Sequence, residues 1–203
     1  MAQLRETIML PEPVYAGDKS VEELMQQRRS VRDYQATALQ LSDISQLLWA
    51  AQGITHPMGL RTAPSAGALY PLELYVVTGN VHDLAAGVYH YQADGHRLAR
   101  MQSGDQRKPL AQAALAQTWV RDAAAVVVFA AVYDRTTRKY GQRGVRYVHM
   151  EVGHAAQNLF LQAESLGLAT VVVGAFRDDE LAGVLQLPAD VRPLVLMPVG
   201  RRQ

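Results

Sequence analysis

The chain has 203 residues, 49% of them apolar, and a formal charge of +1 at pH 7. Such a length supports one domain with a substantial core, and the near-neutral balance leaves no broad cationic stripe for nucleic acid. Cysteine is absent, which excludes disulfides, zinc–thiolate sites, iron–sulfur clusters and thiol nucleophiles.

Residues 1–13 lack the basic-then-apolar-then-small pattern of a secretion signal. No run of about eighteen apolar residues is present to cross a membrane, so a cytoplasmic protein is expected. A first helix is predicted from Ser20, with Glu23 as capping-box partner and Val21, Leu24 and Met25 turned inward. At its end three arginines and a serine crowd into Arg28-Arg29-Ser30-Val31-Arg32. In a balanced chain this cluster reads as a local anion site, and a phosphate monoester brings about −1.5 to −2 of charge to match it. A solvated helix end, its charges set against the macrodipole, accounts for the same residues equally well.

A second helix near Ser42 places Ile44, Leu47, Leu48 and Ala51 on one face and stops at Gly53. Residues 55–71 are irregular, with three prolines and two glycines, and loops of that length are usually functional or mobile. A strand is predicted over 72–78, and 88–91 pairs with 97–101 across an Asp94-Gly95 turn. Residues 109–119 look helical, 124–132 form a strand apolar on both faces, and a long helix runs over 145–166. Its apolar positions Val145, Val148, Val152, Ala155, Ala156, Leu159, Ala163 and Leu166 recur at three-four spacing, and Gly167 ends it. A buried strand over 168–176, a short helix from Asp178 and a last strand over 194–199 follow. Helices and strands alternate around a hairpin, so the class is α+β with a mixed sheet, in one domain spanning 1–203. Gly153, Ala155 and Ala156 suit either a homodimer seam or a packed core helix.

No Gly-rich nucleotide loop is present: G-x-x-x-x-G-K-[ST] is missing, and Gly141-x-x-Gly144 is too little for a dinucleotide fingerprint. A bound phosphate must therefore be held by guanidinium groups, and a second pair, Arg201-Arg202, follows Gly200. Ala63-Pro64-Ser65-Ala66-Gly67 superficially resembles a nucleophile elbow but lacks its first glycine. Its small residues also let a flat molecule approach backbone amides and a hydroxyl. Glu151-x-x-His154 sets a carboxylate and an imidazole on one helical face. A di-iron site needs a second such pair and two further glutamates, so no metal is expected. Lys139 and Tyr140, between a strand and the long helix, are either solvent-facing or, in a cleft that shifts their pKa values, proton-transfer groups.

Taken in order, Arg28-Arg-Ser-Val-Arg-Asp-Tyr34, Arg61-Thr-Ala-Pro-Ser-Ala-Gly-Ala-Leu-Tyr-Pro71, Lys139-Tyr-Gly-Gln-Arg-Gly-Val-Arg-Tyr147, Glu151-Val-Gly-His-Ala-Ala-Gln-Asn158 and Val173-Gly-Ala-Phe176 resemble the FMN-dependent nitroreductase superfamily. Within it, the match is to the SagB-like branch, which includes azoline dehydrogenases. The resemblance implies a three-layer α-β-α fold with a central mixed, mainly antiparallel sheet. It also implies a homodimer with the long helix at its interface and two FMN sites shared between subunits. NAD(P)H and a small-molecule acceptor are the implied partners, with neither nucleic acid nor membrane.

By that resemblance Arg28, Arg29, Ser30 and Arg32 hold the FMN phosphate, ribityl chain and pyrimidine edge, and Arg201 and Arg202 complete the phosphate clamp. Pro64, Ser65, Ala66, Gly67 and Leu69 line the flavin from the partner subunit, and Gly174 and Ala175 offer amides near N5 and O4. Lys139 and Tyr140 match the adjacent lysine and tyrosine that act as catalytic base in azoline dehydrogenases. Ala68 stands where classical nitroreductases have asparagine, and their glutamine near Tyr70 is missing. The implied activity is ping-pong hydride transfer from NAD(P)H through flavin N5 to a nitroaromatic, quinone or similar acceptor. The alternatives are azoline-type desaturation with Lys139 or Tyr140 as base, and a flavin-binding module without turnover.

Overall fold

A computed structural model describes residues 6–203. In chain order its elements are β1 (Thr7–Met9), α1 (Val21–Gln27), β2 (Tyr34–Gln35), α2 (Leu41–Gln52), β3 (Leu72–Thr78), β4 (Gly87–Gln92), β5 (Arg97–Ser103), α3 (Arg107–Ala113), α4 (Thr118–Asp122), β6 (Ala125–Ala131), α5 (Asp134–Tyr140), α6 (Arg143–Ser165), β7 (Leu168–Thr170), α7 (Asp178–Leu185) and β8 (Arg192–Arg202). The strands form one sheet in the order β1-β5-β4-β3-β6-β8-β2, with β7 also on β8. Among the described residues all its ladders are antiparallel, and the parallel component is a single isolated bridge, Leu39 to Val81.

The central strands are apolar on both faces because helices cover both. Along β6, Ala125, Val127, Phe129 and Ala131 enter one core with α2 and α6, while Val126, Val128 and Ala130 enter a second with α3, α4 and α7. The two-residue period of a strand divides its side chains between the layers in this way. The result is the three-layer α-β-α arrangement. Within α6, Val148, Val152, Ala155, Ala156, Leu159 and Ala163 are buried as the spacing predicted, and Gly167 follows it with φ +66°. Ala155 and Ala156 thus serve the core, whereas Gly153 is exposed with nothing near its absent Cβ.

Several elements depart from expectation for identifiable reasons. Ser20 caps α1 by accepting from the Glu23 N–H, but the Glu23 carboxylate takes the Gln27 amide instead of closing the box. Only Leu24 of that short helix is buried, while Val21 and Met25 are more than half exposed. The helix predicted over 109–119 is two helices, α3 and α4, because Leu115 and Ala116 both take positive φ and reverse the chain. The segment 168–176 leaves the ladder after Thr170, whose carbonyl accepts from the Val31 N–H; one bridge, Val173 to Leu196, remains beyond it. The connection holding Lys139 is itself helical, as α5.

An unforeseen strap, β1 and the segment after it, is pinned by one part-buried relay. Ser45 donates to the Pro11 carbonyl at 2.5 Å, His96 Nε2 lies 2.6 Å from Ser45 Oγ, and Tyr91 Oη lies 2.9 Å from His96 Nδ1. A neutral His96 with its proton on Nε2 donates to Ser45 and accepts from the Tyr91 hydroxyl, whereas a protonated ring would donate at both nitrogens and deprive the Tyr91 hydrogen of this acceptor. Burial accordingly lowers its pKa below the usual 6.5. A lowered folded pKa means the stabilisation is complete above pH 6.5 and is lost as pH falls through the folded value. The Leu10 amide, which donates to the His96 carbonyl, is therefore expected to lose hydrogen-exchange protection below that pH. His96→Gln should abolish the dependence, and unchanged wild-type protection at about pH 5 would contradict the assignment.

Candidate functional site

The two arginine-bearing ends of the chain meet at one edge of the sheet. β2 pairs with the end of β8 through Tyr34 to Arg202 and Gln35 to Arg201. β7 pairs with Val199 to Arg201 of β8, sharing Arg201 with β2, and Val31 is hydrogen-bonded to β7. Gly200 permits this closeness, since a Cβ there would lie 2.7 Å from the Tyr34 ring. On the α6 side, Arg202 Nη1 donates to Glu164 Oε1 at 2.7 Å, and the Arg28 guanidinium stands 4.9 Å over the Phe160 ring, one turn earlier. Arg201 pairs with Asp43 at 2.6 Å. Arg32 lies on the other side of the edge, 5.4 Å over Trp119. Arg29 folds back onto the carbonyls of Gln26 and Arg28 and stays exposed, as does Ser30.

The cations differ in how free they are. Among the described residues Arg28 and Arg32 have aromatic partners and no carboxylate, so their charge is not neutralised. Gly174 and Ala175 lie in the same outer layer as Arg32. The Ala175 carbonyl accepts from Gln117, which belongs to the turn before Trp119. Both residues are exposed, and their amides donate to no acceptor among the described residues.

The Pro64–Leu69 segment lies elsewhere along α6. Ser65 Oγ shares a 2.5 Å hydrogen bond with Glu151 Oε2 and accepts from the Tyr70 N–H at 2.9 Å. Ser65 itself has φ −126°, so it is no nucleophile elbow. The strain sits just after it: Gly67, Ala68 and Tyr70 all have positive φ, a conformation that costs a non-glycine residue energy and clusters at functional sites. Arg61 holds the loop by stacking 4.7 Å over Tyr70 and donating to Gln52, and Arg135 donates to the Tyr70 carbonyl.

Lys139 and Tyr140 come to this loop from the last turn of α5. A Cβ on Gly67 would lie 2.8 Å from Tyr140 Oη and 3.0 Å from Lys139 Nζ. The pair is therefore not merely solvent-facing, although Lys139 remains exposed. Beside the loop is a hollow of about 270 Å³ lined by Pro64, Ser65, Ala66, Tyr147, Glu151 and His154, among others. His154 is exposed while Glu151 is buried, so the two groups that the spacing sets on one helical face part company: the carboxyl serves the loop and the imidazole faces outward. Burial pushes the Glu151 carboxyl up to about 7, against the opposing pull of Ser65 and Arg61.

Sequence reasoning missed a second polar cluster. Glu73 receives His90 at 2.5 Å and Arg135, and this cluster borders a hollow of about 390 Å³ that also touches Arg61 and Arg97. The ion pairs keep the Glu73 carboxyl below its usual range despite burial. Its only sequence signal was a charged residue inside the apolar strand β3.

Comparison with known proteins agrees with this architecture. The model of the nitroreductase family matches residues 25–201. A candidate nitroreductase of Methanocaldococcus jannaschii, MJ1384, is 49% identical over 90% of this chain and 91% of its own. The microcin B17-processing protein McbC of Escherichia coli is 28% identical over 80% of this chain and 62% of its own. A crystal structure of a candidate nitroreductase from Anabaena variabilis superposes with TM-score 0.85 and 30% identity, covering 98% of this chain and 42% of that one. This chain thus spans less than half of the Anabaena protein and about three fifths of McbC.

The close approach at Gly67 yields a direct test. Gly67→Ala forces a side chain into positive φ and against the Tyr140 hydroxyl, and should cost about 1–2 kcal/mol in urea denaturation. A neutral substitution would mean that the loop does not hold this conformation in solution.

Proposed function

The chain belongs to the nitroreductase family, and we propose that it is an FMN-dependent oxidoreductase whose site is completed by a second copy of the chain. One observation carries the reading. The arginine edge and the Ser65 loop touch α6 at Phe160 and Glu151, nine residues apart, or about 13 Å along the helix axis. Within one chain the phosphate-binding groups and the loop are thus separated. A second α6, packed antiparallel on the first, would bring one copy's arginines to the other's loop. The outward face of α6, with Arg146, Met150, Gly153, His154 and Gln157 exposed, and the bare Val21 and Met25 of α1 suit such a contact.

The residues present fit FMN. Arg28, which has no carboxylate partner among the described residues, supplies positive charge for a phosphate dianion without a Gly-rich loop, beside the carboxylate-paired Arg201 and Arg202 of the strand end. The unpaired amides of Gly174 and Ala175 suit acceptor atoms of a flavin ring. When bound, FMN accepts and donates hydride, which supports transfer from NAD(P)H to a nitroaromatic, quinone or similar acceptor. The chain's own groups bind the phosphate, fix the ring and hold positive charge near its pyrimidine edge through Arg32.

A second reading, desaturation of an azoline-type substrate, is favoured by the placement of Lys139 and Tyr140 against Gly67. There one of the two would remove a substrate proton beside the cofactor. The relation to McbC, whose name marks it as a processing protein, supports that alternative.

Purified protein is expected to bind one FMN per chain and to be bleached by NADPH or NADH. A protein that binds flavin but is bleached by neither would fit the dehydrogenase or a passive carrier instead. Arg28→Ala should weaken FMN binding about tenfold to a hundredfold, the value of one charged hydrogen bond, and full occupancy in that variant would contradict its role. Lys139→Ala should leave quinone-dependent NAD(P)H oxidation intact if only the reductase cycle operates. Loss of that activity would place the lysine within the cycle.

A further inference from the structure

We propose that Glu151 is a positioning residue that controls where the Ser65 hydroxyl donates. As a neutral acid, Glu151 donates to Ser65 Oγ and leaves the serine proton for a ligand in the adjoining hollow. As a carboxylate, it takes that proton for itself. The inference rests on the flavin reading only in naming FMN as the ligand.

Glu151 is 2% exposed. Its Oε2 meets Ser65 at 2.5 Å, and its Oε1 has no hydrogen-bond partner among the described residues. An ionised carboxylate would leave a charged oxygen buried and bare, which is costly; a neutral acid leaves only a carbonyl oxygen there. The geometry therefore favours the protonated form. Ser65 Oγ has two lone pairs and one hydrogen. The Tyr70 N–H occupies one lone pair. If Glu151 fills the second with its own O–H, the serine hydrogen is unclaimed, and Ser65 lines the hollow of about 270 Å³. If Glu151 is ionised, that hydrogen can only serve the carboxylate, and the ligand loses a donor. The proton moves between Glu151 and solvent; no bond in the ligand is made or broken.

The surroundings place this change within reach of physiological pH. Arg61, on the loop, favours the carboxylate, and burial opposes it more strongly. Tyr147 and His154 line the hollow from α6 itself. Tyr70 faces Ser65 from the loop, and Lys139 and Tyr140 approach from α5 across Gly67. None of these supplies Oε1 with a donor.

The test has two arms. Infrared difference spectra of ligand-free protein, referenced to Glu151→Gln, should show a buried carboxylic acid band at about pH 5.5 that is gone at about pH 8.5. FMN affinity is then measured by fluorescence quenching over the same range for wild type and for Glu151→Gln, whose amide donates to Ser65 at every pH. Titration of the FMN phosphate cancels in the ratio of the two affinities. That ratio should fall about threefold to tenfold from acid to alkaline pH, the worth of one neutral hydrogen bond, whereas Ser65→Ala should show no such change. A carboxyl already ionised at the acid end, or the same pH slope in wild type and Glu151→Gln, would overturn the proposal while leaving flavin binding standing. Absence of FMN binding at every pH in both proteins would overturn the flavin reading and this proposal with it.

Discussion

Gathering guanidinium groups in a chain of net charge +1 is the constraint around which this molecule is arranged. Two such charges about 4 Å apart repel by about 4 kcal/mol near a protein surface. The fold brings them together through the last residues of β8, which β2 and β7 flank on opposite sides. It then treats the cations unequally. Arg201 and Arg202 are tied to the buried carboxylates of Asp43 and Glu164, which fixes the strand end and moderates the repulsion. Arg28 and Arg32 rest on aromatic faces, which orient a cation without cancelling it. An anion arriving at this edge meets oriented positive charge.

The other pole is a loop held in an unfavourable backbone shape. Three of its residues take positive φ, and the opposing support comes from several directions: Arg61 stacked on Tyr70, Arg135 on the Tyr70 carbonyl, and Glu151 beneath Ser65. Such over-determination keeps a strained segment rigid. It also explains why Lys139 and Tyr140 can rest on Gly67, where any side chain would displace them. Both poles are anchored to α6, so this one helix sets their spacing.

What could be read from the sequence followed from periodicity. The three-four pattern of α6, the apolar run of β6 and the hairpin at Gly95 are local signals, and the structure carries them through. The break at Leu115 and Ala116 was hidden because neither residue is a usual left-handed one. The strand after Gly167 looked longer than β7 because its apolar residues continue into the outer core as irregular chain. Glu151 illustrates the limit best. Its spacing to His154 suggested a shared face, but its partner is Ser65, 86 residues away, and no local pattern encodes that meeting. The Glu73, His90 and Arg135 cluster was invisible for the same reason. The candidate site residues were legible through family resemblance rather than through physics, apart from the arginine clusters, whose density was itself a signal.

The central claim is that each complete site draws its arginine edge from one copy and its loop from another. Subunit complementation tests it most directly. Arg28→Ala weakens the first element, and Ala66→Trp fills the hollow beside the second; at an FMN concentration close to the wild-type Kd, each protein alone should take up little FMN, about a tenth of the wild-type amount or less. When the two are mixed, unfolded and refolded together, random pairing under two-fold symmetry should restore roughly a quarter of the wild-type flavin, because each mixed dimer keeps one intact site. Recovery of no more flavin from the mixture than from either protein alone, with both proteins folded and dimeric, would show that each site lies within a single chain and would contradict the account.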